Sequence, residues 1–494
     1  MSLRVNPLKL VLVALCLLPA LPAKGQWTIT YTYDTTQAET VLGANRVAPM
    51  AMALDRAKAR LESILTQSTG NVVMTILFED PPGNALAESV LTYVRNATVS
   101  TARDKLINQA TADNEPQAEI NMYDLLPATT IPFQWDDSGV QQMGFVFCTA
   151  ALNQHLQFGA VTQEPDGTIR FRPPGGTVNW QFWKGKLKPN HYSFEATVFH
   201  ETFHLLGFGS SSDNTILPIS IPTWDMFRMP ETSIPLTAQS FTTVAREMRP
   251  DMEAAWVTRT SSSAAGVFKA SRGTRTGGDS FQAAHWRSRT RLTPPETIGI
   301  MDPAGDYSAF SELDLKFYTR ADIEALDFIG WAVDPDSVQY STLSQPGLVS
   351  PQNAQTLAIA TPTFEWSLNQ GAFSWTLFIY EGTDTTSDDP YRVYPDLFAS
   401  EFTLPVEDSL PPGQYSWYVV SESQPGYDES DTWTFTIQGS CVADFDGNGQ
   451  VQVPDIFAFL STWFASDPST DIDGNGQIQV PDIFAFLTLW FAGC

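Results

Sequence analysis

Apolar residues recur every three or four positions over residues 49–65, and this spacing predicts an amphipathic helix. Its apolar positions are Met50, Met52, Leu54, Ala57, Leu61 and Leu65. The apolar run over 71–78 predicts a buried strand, and the pattern over 86–94 predicts a second helix. We expect shorter strands over 168–172 and 177–182. This mixture of helices and strands predicts an α+β domain.

Beyond residue 335, apolar and polar residues alternate with a period of two, in short runs that Pro- and Gly-rich turns separate. The alternating positions are Phe373, Trp375, Leu377 and Ile379, then Tyr415, Trp417 and Val419, then Trp433, Phe435 and Ile437. This pattern predicts an antiparallel β-sandwich over residues 336–439, of about 100 residues. The segment carries no catalytic constellation, so we expect it to be a spacer.

The end of the chain, residues 440–494, contains an internal repeat. The segment DFDGNGQVQVPDIFAFL begins at Asp444 and recurs from Asp471 as DIDGNGQIQVPDIFAFL. Each copy ends in a strongly apolar helical pattern, which predicts a small α-helical module whose two helices pack on each other.

Residues 1–25 have the composition of an export signal, because Arg4 and Lys9 precede the apolar run 10–18 and small, helix-breaking residues follow it. We expect a secreted protein, extracellular or at the cell surface, without a transmembrane anchor once the signal is removed; a retained N-terminal anchor is the alternative. The net charge of −27 argues against nucleic acid and anionic membranes as partners.

The four cysteines fit an oxidising compartment. Cys16 leaves with the signal. Cys441 and Cys494 flank the last module and could form one disulfide, whereas Cys148 stands in an apolar run and is expected to be buried.

The strongest chemical signal is the pattern HExxH at His200, Glu201 and His204, in a helix predicted over 194–206 that ends at Gly207. Positions i and i+4 share a helix face, so both histidines can bind one Zn²⁺ while Glu201 lies beside the open coordination position. Zinc lowers the pKa of a bound water to roughly 7, and a neighbouring carboxylate can take its proton. This pattern is typical of zinc hydrolases.

A catalytic zinc site usually has three protein ligands. In the compact pattern HExxHxxGxxH the third ligand stands three residues after the glycine, where this chain has Ser210. His155, His191 and His285 are the remaining histidines, and we favour His285 as the third ligand. Asp213 is the alternative, because its loop is rich in small residues and could bend back to the metal.

The motifs HExxHxLGF from His200, AAHW around His285 and GIMDP around Met301 together resemble the metzincin metallopeptidases, in particular their leishmanolysin-like branch. The segment LDLKFYTRADIEALDFIGW over 313–331 is similar to segments that close bacterial secreted enzymes of this type. The resemblance covers roughly residues 190–335.

This resemblance implies a zinc endopeptidase domain over residues 26–335, with one catalytic Zn²⁺ and a methionine turn under the metal. The implied residues are His200, His204 and His285 as zinc ligands, Glu201 as general base and Met301 in the turn.

The repeated segment matches a calcium loop, with oxygen ligands at positions 1, 3, 5, 7 and 12 and a glycine at position 6. The predicted ligands are Asp444, Asp446, Asn448, Gln450 and Asp455 in the first loop and Asp471, Asp473, Asn475, Gln477 and Asp482 in the second. With Asp at position 12 and one following helix, the pair resembles a dockerin, and the sandwich resembles fibronectin type III or immunoglobulin-like modules. The dockerin resemblance implies two structural Ca²⁺ ions and a cohesin-like or cell-surface receptor as partner.

We therefore expect a multidomain protein: an α+β metzincin-like catalytic domain, a β-sandwich and a small α-helical, calcium-binding, dockerin-like module. The expected function is zinc-dependent hydrolysis of protein or peptide substrates. The alternative is a surface adhesion or scaffold protein whose peptidase-like domain binds without cleaving, because the compact third ligand is missing.

Overall fold

The structure is a computed structural model. It describes residues 27–65, 70–83, 85–115, 117–159, 165–176, 178–234, 236–257, 267–288, 291–292, 298–303, 317–340, 343–387, 389–439, 441–448 and 450–493. The predicted export signal lies outside the described residues.

The first part of the chain mixes helices with short sheets. Its helices are α1 (Thr35–Leu42), α2 (Ala44–Ile64), α3 (Val99–Asp113), α4 (Gln117–Asp124), α5 (Ala150–Leu156), α6 (Phe194–Leu206), α7 (Ala238–Thr243) and α8 (Arg320–Phe328). Its strands are β1 (Trp27–Tyr33), β2 (Gly70–Phe78), β3 (Ala87–Leu91), β4 (Tyr93–Thr98), β5 (Ile131–Gln134), β6 (Gln141–Met143), β7 (Phe145–Thr149), β8 (Gly167–Phe171), β9 (Trp180–Gln181), β10 (Tyr192–Ser193), β11 (Ile221–Pro222), β12 (Arg228–Pro230), β13 (Arg246–Glu247), β14 (Ala254–Val257) and β15 (Val267–Ala270).

A four-stranded sheet with the order β1-β2-β8-β3 supports the functional region. β1, β2 and β8 are parallel, and β3 runs antiparallel to β8 at the edge of the sheet. Helix α6 packs against β3 and α2. The predicted strand over 71–78 is confirmed as β2, and the predicted helix over 49–65 corresponds to α2, which begins five residues earlier at Ala44 and ends at Ile64.

The helix predicted over 86–94 is wrong, because that segment forms β3 and the start of β4. Its residues include Val90, Thr92, Tyr93 and Val94, and β-branched and aromatic residues favour strands when a partner strand is available. β8 is the partner of β3 and β7 is the partner of β4, and these non-local pairings override the local helical spacing.

The second part is built from two facing sheets. Its strands are β16 (Leu348–Ser350), β17 (Gln355–Leu357), β18 (Thr363–Trp366), β19 (Ser374–Glu381), β20 (Arg392–Leu397), β21 (Glu401–Thr403), β22 (Gly413–Glu422), β23 (Tyr427–Glu429) and β24 (Trp433–Ile437). One sheet has the order β16-β18-β21, and the other has the order β17-β24-β22-β19-β20 with β23 paired to β22. Phe364, Leu377, Trp417 and Phe435 lie in the apolar core that these strands share.

The sandwich is packed onto the first part of the chain and is not a spacer that holds other domains apart. Both faces of β19 and β22 are buried almost throughout. Phe378, Tyr380, Tyr418, Val420 and Tyr427 belong to the same buried apolar cluster as the core of the first part. The expectation of a spacer therefore fails, because the second face of this sheet is covered by protein.

The C-terminal module has the two predicted helices, α9 (Val453–Phe464) and α10 (Val480–Ala492). The rings of Phe459 and Phe486 stack between them with centroids 4.1 Å apart, and Phe445 packs edge-on against both. Across the described residues, no helix is long and apolar enough to cross a lipid bilayer.

Candidate metal centre

Helix α6 carries HExxH through the centre of the molecule. Ser193 caps its start by accepting a hydrogen bond from the Ala196 N–H at 3.1 Å, and it ends at Gly207, whose φ is +127°. A Cβ at Gly207 would lie 2.8 Å from Ile329 Cδ1, so a larger residue does not fit there. Every residue of α6 is buried, which fixes the direction in which each of its side chains points.

His285 meets the histidine pair of α6. Its Nε2 atom lies 3.1 Å from His200 Nε2 and 3.2 Å from His204 Nε2. Three nitrogens around one tetrahedral Zn²⁺ with Zn–N distances near 2.05 Å would stand roughly 3.3 Å apart. The observed separations fit such an ion closely.

In each histidine, a hydrogen bond from Nδ1 to a backbone carbonyl fixes the tautomer of the ring. Nδ1 of His200 donates to the Ile300 carbonyl at 2.7 Å, Nδ1 of His204 to the Phe208 carbonyl at 2.7 Å, and Nδ1 of His285 to the Gln282 carbonyl at 3.1 Å. The lone pair is therefore on Nε2 in each ring, and the three lone pairs converge. Such backbone acceptors are the usual outer partners of metal-binding histidines.

Burial keeps these imidazoles neutral. It lowers the pKa of His200 to about 3 and that of His204 to about 4, and the charge of protonated His204 also lowers the pKa of His200. The pKa of His285 also falls well below its ordinary value, first through burial and then through His204 and His200. The neutral ring is the form that binds a metal.

Asp213, the alternative third ligand, does not join this cluster. Its carboxylate accepts hydrogen bonds from the Thr274 N–H at 2.6 Å and from the Ala283 N–H at 2.6 Å. Ala283 stands just before His285, so Asp213 braces the loop that brings His285 to the other two histidines. The described residues that could hold a metal here are His200, His204 and His285.

Met301 lies fully buried in the turn over 299–302, where the Asp302 N–H donates to the Gly299 carbonyl. The Met301 carbonyl accepts from the N–H of Trp286, the residue next to His285. Asp322 of α8 joins the same elements, because it accepts from the Trp286 indole N–H at 2.8 Å and from the Ile300 N–H at 2.9 Å. The turn predicted around Met301 is therefore tied to both histidine-bearing segments, because Ile300 accepts a hydrogen bond from His200 of α6 and Met301 accepts one from Trp286.

Glu201 is buried beside the histidines. Its Oε2 accepts a hydrogen bond from Ser89 Oγ at 2.7 Å, and the same hydroxyl lies 2.7 Å from the Glu201 carbonyl oxygen. Burial raises the pKa of Glu201 to about 7, although the Ser89 hydrogen bond acts in the opposite direction. Ser89 was missed in the sequence because its segment was predicted as a helix and no motif marks it.

An open cleft of about 720 Å³ gives access to these groups. Edge strand β3 forms one wall, with Ser89 facing Glu201, and the opposite wall comes from the loops around Asp213 and His285. An extended chain lying in this cleft would pass Glu201 and the three histidines.

The two predicted calcium loops bring their acidic residues together. One carboxylate oxygen from each of Asp444, Asp446 and Asp455 lies within 4.8 Å of the others, and the same holds for Asp471, Asp473 and Asp482. Position 5 closes each loop, because Asn448 Oδ1 accepts from the Gln450 N–H and Asn475 Oδ1 from the Gln477 N–H. Both carboxylate groups could hold a cation.

The described cysteines agree with the expected redox states. Cys441 is disulfide-bonded, and its predicted partner Cys494 lies outside the described residues. Cys148 is a buried free thiol.

Neither a protein-family model nor a curated protein sequence matches the chain. Among solved structures, the chain is similar to the fn3 domain of the human collagen alpha-1(XX) chain, with 20% identity over 21% of this chain and 93% of that domain, at a TM-score of 0.17. It is also similar to the fibronectin type-III domain of human fibronectin type III domain containing protein 3, with 20% identity over 21% of this chain and 94% of that domain, at a TM-score of 0.16. Scores this low carry no argument about function. The described chain is thus a mixed α/β protein with several sheets.

Proposed function

We propose that this chain is a secreted, zinc-dependent endopeptidase of the metzincin type. The observation that carries the proposal is the convergence of three neutral histidine nitrogens beside the buried carboxylate of Glu201, in an open cleft. His200, His204 and His285 would hold one Zn²⁺. When bound, Zn²⁺ would supply a Lewis acid that activates water and polarises a peptide carbonyl.

The chain itself supplies the proton transfers. Glu201 accepts a proton from the attacking water and then donates it to the nitrogen of the leaving amine. The Ser89 hydroxyl holds the Glu201 carboxylate in one orientation throughout.

Strand β3 supports a polypeptide as the substrate. It is an edge strand of its sheet among the described residues, and it lines the cleft. An extended peptide can add to such an edge through main-chain hydrogen bonds, which places successive peptide bonds along the strand. A substrate held in this way would present a carbonyl to the groups opposite Ser89.

We further propose that the C-terminal module is dockerin-like, with two structural Ca²⁺ ions and a cohesin-like or cell-surface receptor as partner. Phe457, Phe464, Phe484 and Phe491 remain exposed on its helices, at equivalent positions of the two repeats. These exposed aromatic side chains support a docking role.

The decisive experiment is cleavage of an unfolded protein by the mature chain at fixed zinc and calcium, with Glu201→Gln alongside. Glu79→Gln is the matched control, since it removes a carboxylate that pairs with Arg170 away from the histidines. We expect the wild type and Glu79→Gln to cleave, and Glu201→Gln to lose at least about 100-fold in rate while it still binds zinc. Equal cleavage by Glu201→Gln, or silence of the zinc-loaded wild type, would overturn the proposal, and silence would favour a binding protein. Chelators are unsuitable because they would also remove calcium from the loops.

A further inference from the structure

A second group of buried acids lies outside the cleft. Single carboxylate oxygens of Glu115, Glu119 and Asp327 lie within 4.8 Å of one another. Glu115 follows Asn114, the residue that ends α3, whereas Glu119 lies in the first turn of α4 and Asp327 in the last turn of α8. The three carboxylates therefore come together from the end of α3, the start of α4 and the end of α8.

The side chains of Asp327 and Glu119 share a hydrogen bond, but one carboxylate oxygen of Asp327 lacks a partner at this point. Asp327 is only 5% exposed, and its Oδ1 atom is buried without a hydrogen bond. Glu119 is 7% exposed, and its Oε1 accepts from the Tyr123 hydroxyl at 2.7 Å. A buried carboxylate oxygen without a partner is costly, so an additional group is needed beside it.

Acidic side chains surround this pair, and two of them have basic neighbours, because Glu324 pairs with Arg320 at 2.7 Å and Asp113 contacts His155 at 3.2 Å. The charged side chains that act on Glu119 and Asp327 include Asp113, Glu115 and Glu324, all of them acidic. Burial raises the pKa of both carboxyls, and their mutual proximity raises the pKa of Asp327 further. The C-terminal ends of α3 and α8 add partial negative charge at the same place.

A single proton shared between Glu119 and Asp327 would neutralise only one of the two charges of this pair. A divalent cation would neutralise two charges and would give Asp327 Oδ1 its partner. Carboxylate oxygens are hard ligands that suit Ca²⁺, and the partly exposed Glu115 leaves room for the water ligands that complete its coordination shell.

We propose that Glu115, Glu119 and Asp327 form a third divalent-cation site, which takes Ca²⁺ and ties α3 and α4 to α8. The site is separate from the histidine centre and from the C-terminal loops. Because Asp322 also lies in α8, the site would restrict the motion of Asp322, which accepts hydrogen bonds from Trp286 and Ile300. The proposal does not depend on the peptidase function.

The first test counts Ca²⁺ bound per full-length chain by equilibrium dialysis and elemental analysis. Asp327→Asn and Glu119→Gln keep the side-chain volume and relieve repulsion, so these variants are expected to fold. Each should bind one Ca²⁺ fewer than the wild type, however many ions the C-terminal loops hold. Asp124→Asn is the matched control, since it removes an exposed carboxylate from α4 and should leave the count unchanged. Equal counts in the wild type and Asp327→Asn would overturn the proposal.

The second test does not require either cluster variant to fold. A full-length chain with Asp455→Ala and Asp482→Ala loses the position-12 ligand of both C-terminal loops and keeps the three-acid cluster. It should retain one Ca²⁺ and should melt at a higher temperature with calcium than without. A chain that binds no calcium under these conditions would overturn the proposal.

Discussion

The hydroxyl of Tyr427, on the β-sandwich, donates to the carboxylate of Glu195, in the first turn of the helix that carries His200 and Glu201. The hydroxyl oxygen lies 2.6 Å from Oε1 and 2.7 Å from Oε2. Arg56 of α2 donates to the same Oε2 at 2.7 Å, so three elements meet at the start of α6. The sandwich therefore contributes to the framework of the histidine centre.

Replacing Tyr427 with Phe should lower the free energy of unfolding by about 1–2 kcal/mol, because a buried charge-assisted hydrogen bond is lost while Arg56 still neutralises Glu195. Denaturant unfolding, followed by tryptophan fluorescence, measures the change. In Tyr394→Phe, the matched control, the lost hydroxyl has its partners within the sandwich, including Asp408 at 2.9 Å. A smaller effect for Tyr427→Phe than for this control would contradict the anchoring role.

Ser89→Ala should lower kcat by about 10- to 100-fold with little change in KM, because a hydrogen bond to a charged group contributes about 1.5–3 kcal/mol. The hydroxyl contacts Glu201, whereas the proposed substrate binding by β3 would depend on the backbone of the strand. Steady-state kinetics on a peptide substrate separate the two constants, and Ser89→Thr, which keeps the hydroxyl, should recover part of the rate. An unchanged kcat in Ser89→Ala would show that Glu201 does not need this contact.

The roles of His285 and Asp213 can be distinguished by zinc affinity. His285→Ala removes a proposed ligand and should abolish stable zinc binding at stoichiometric metal. Asp213→Asn keeps the ligand but weakens the brace on its loop, so a loss of roughly 10- to 100-fold in affinity is expected. Competition with a zinc indicator measures both affinities, and a greater loss for Asp213→Asn than for His285→Ala would reverse the assignment.

Asp322 should make stability depend on pH in a defined direction. Burial raises the pKa of Asp322 from 3.8 to about 6, although hydrogen bonds from Trp286, Thr319 and Ile300 oppose this. The folded state therefore holds the proton more tightly than the unfolded state. The stabilisation from this group is complete below about pH 4 and is lost as the pH rises through about 6.

Asp322→Asn provides the comparison, because it cannot titrate. The free energy of unfolding of the wild type relative to Asp322→Asn should fall between pH 4 and pH 6, by on the order of 3 kcal/mol. Urea unfolding at several pH values measures this difference. A difference that rises with pH over this interval would mean that the hydrogen bonds outweigh burial.

Short-range patterns were predicted well from the sequence. The spacing of His200 and His204 places them on one face of α6, and the helix has the bounds expected from the sequence. The acids of each C-terminal loop lie within one short segment, so their spacing alone brings them together. The predicted antiparallel strands of the sandwich also formed, because their period of two is a local property.

Long-range relationships could not be predicted in the same way. The sequence favoured His285 as the third ligand and left Asp213 as the alternative. The packing of their loops places His285 beside His200 and His204, whereas Asp213 accepts a hydrogen bond from the loop that carries His285. Ser89 reached Glu201 because β3 paired with β8, whereas the local pattern there favoured a helix. The sequence pattern did not predict that Phe378, Tyr380 and Tyr418, on the second face of the sandwich, pack against the first part of the chain.

The sequence by itself determined the chemical groups, the helix that carries His200 and His204, and the two C-terminal loops, because backbone periodicity fixes the directions of side chains that are close in the chain. The tertiary structure decided the third histidine, the partner of Glu201, the acidic cluster of α3, α4 and α8, and the anchoring of Glu195 by Tyr427. Those contacts join residues far apart in the chain, and they depend on which surfaces can be buried against each other.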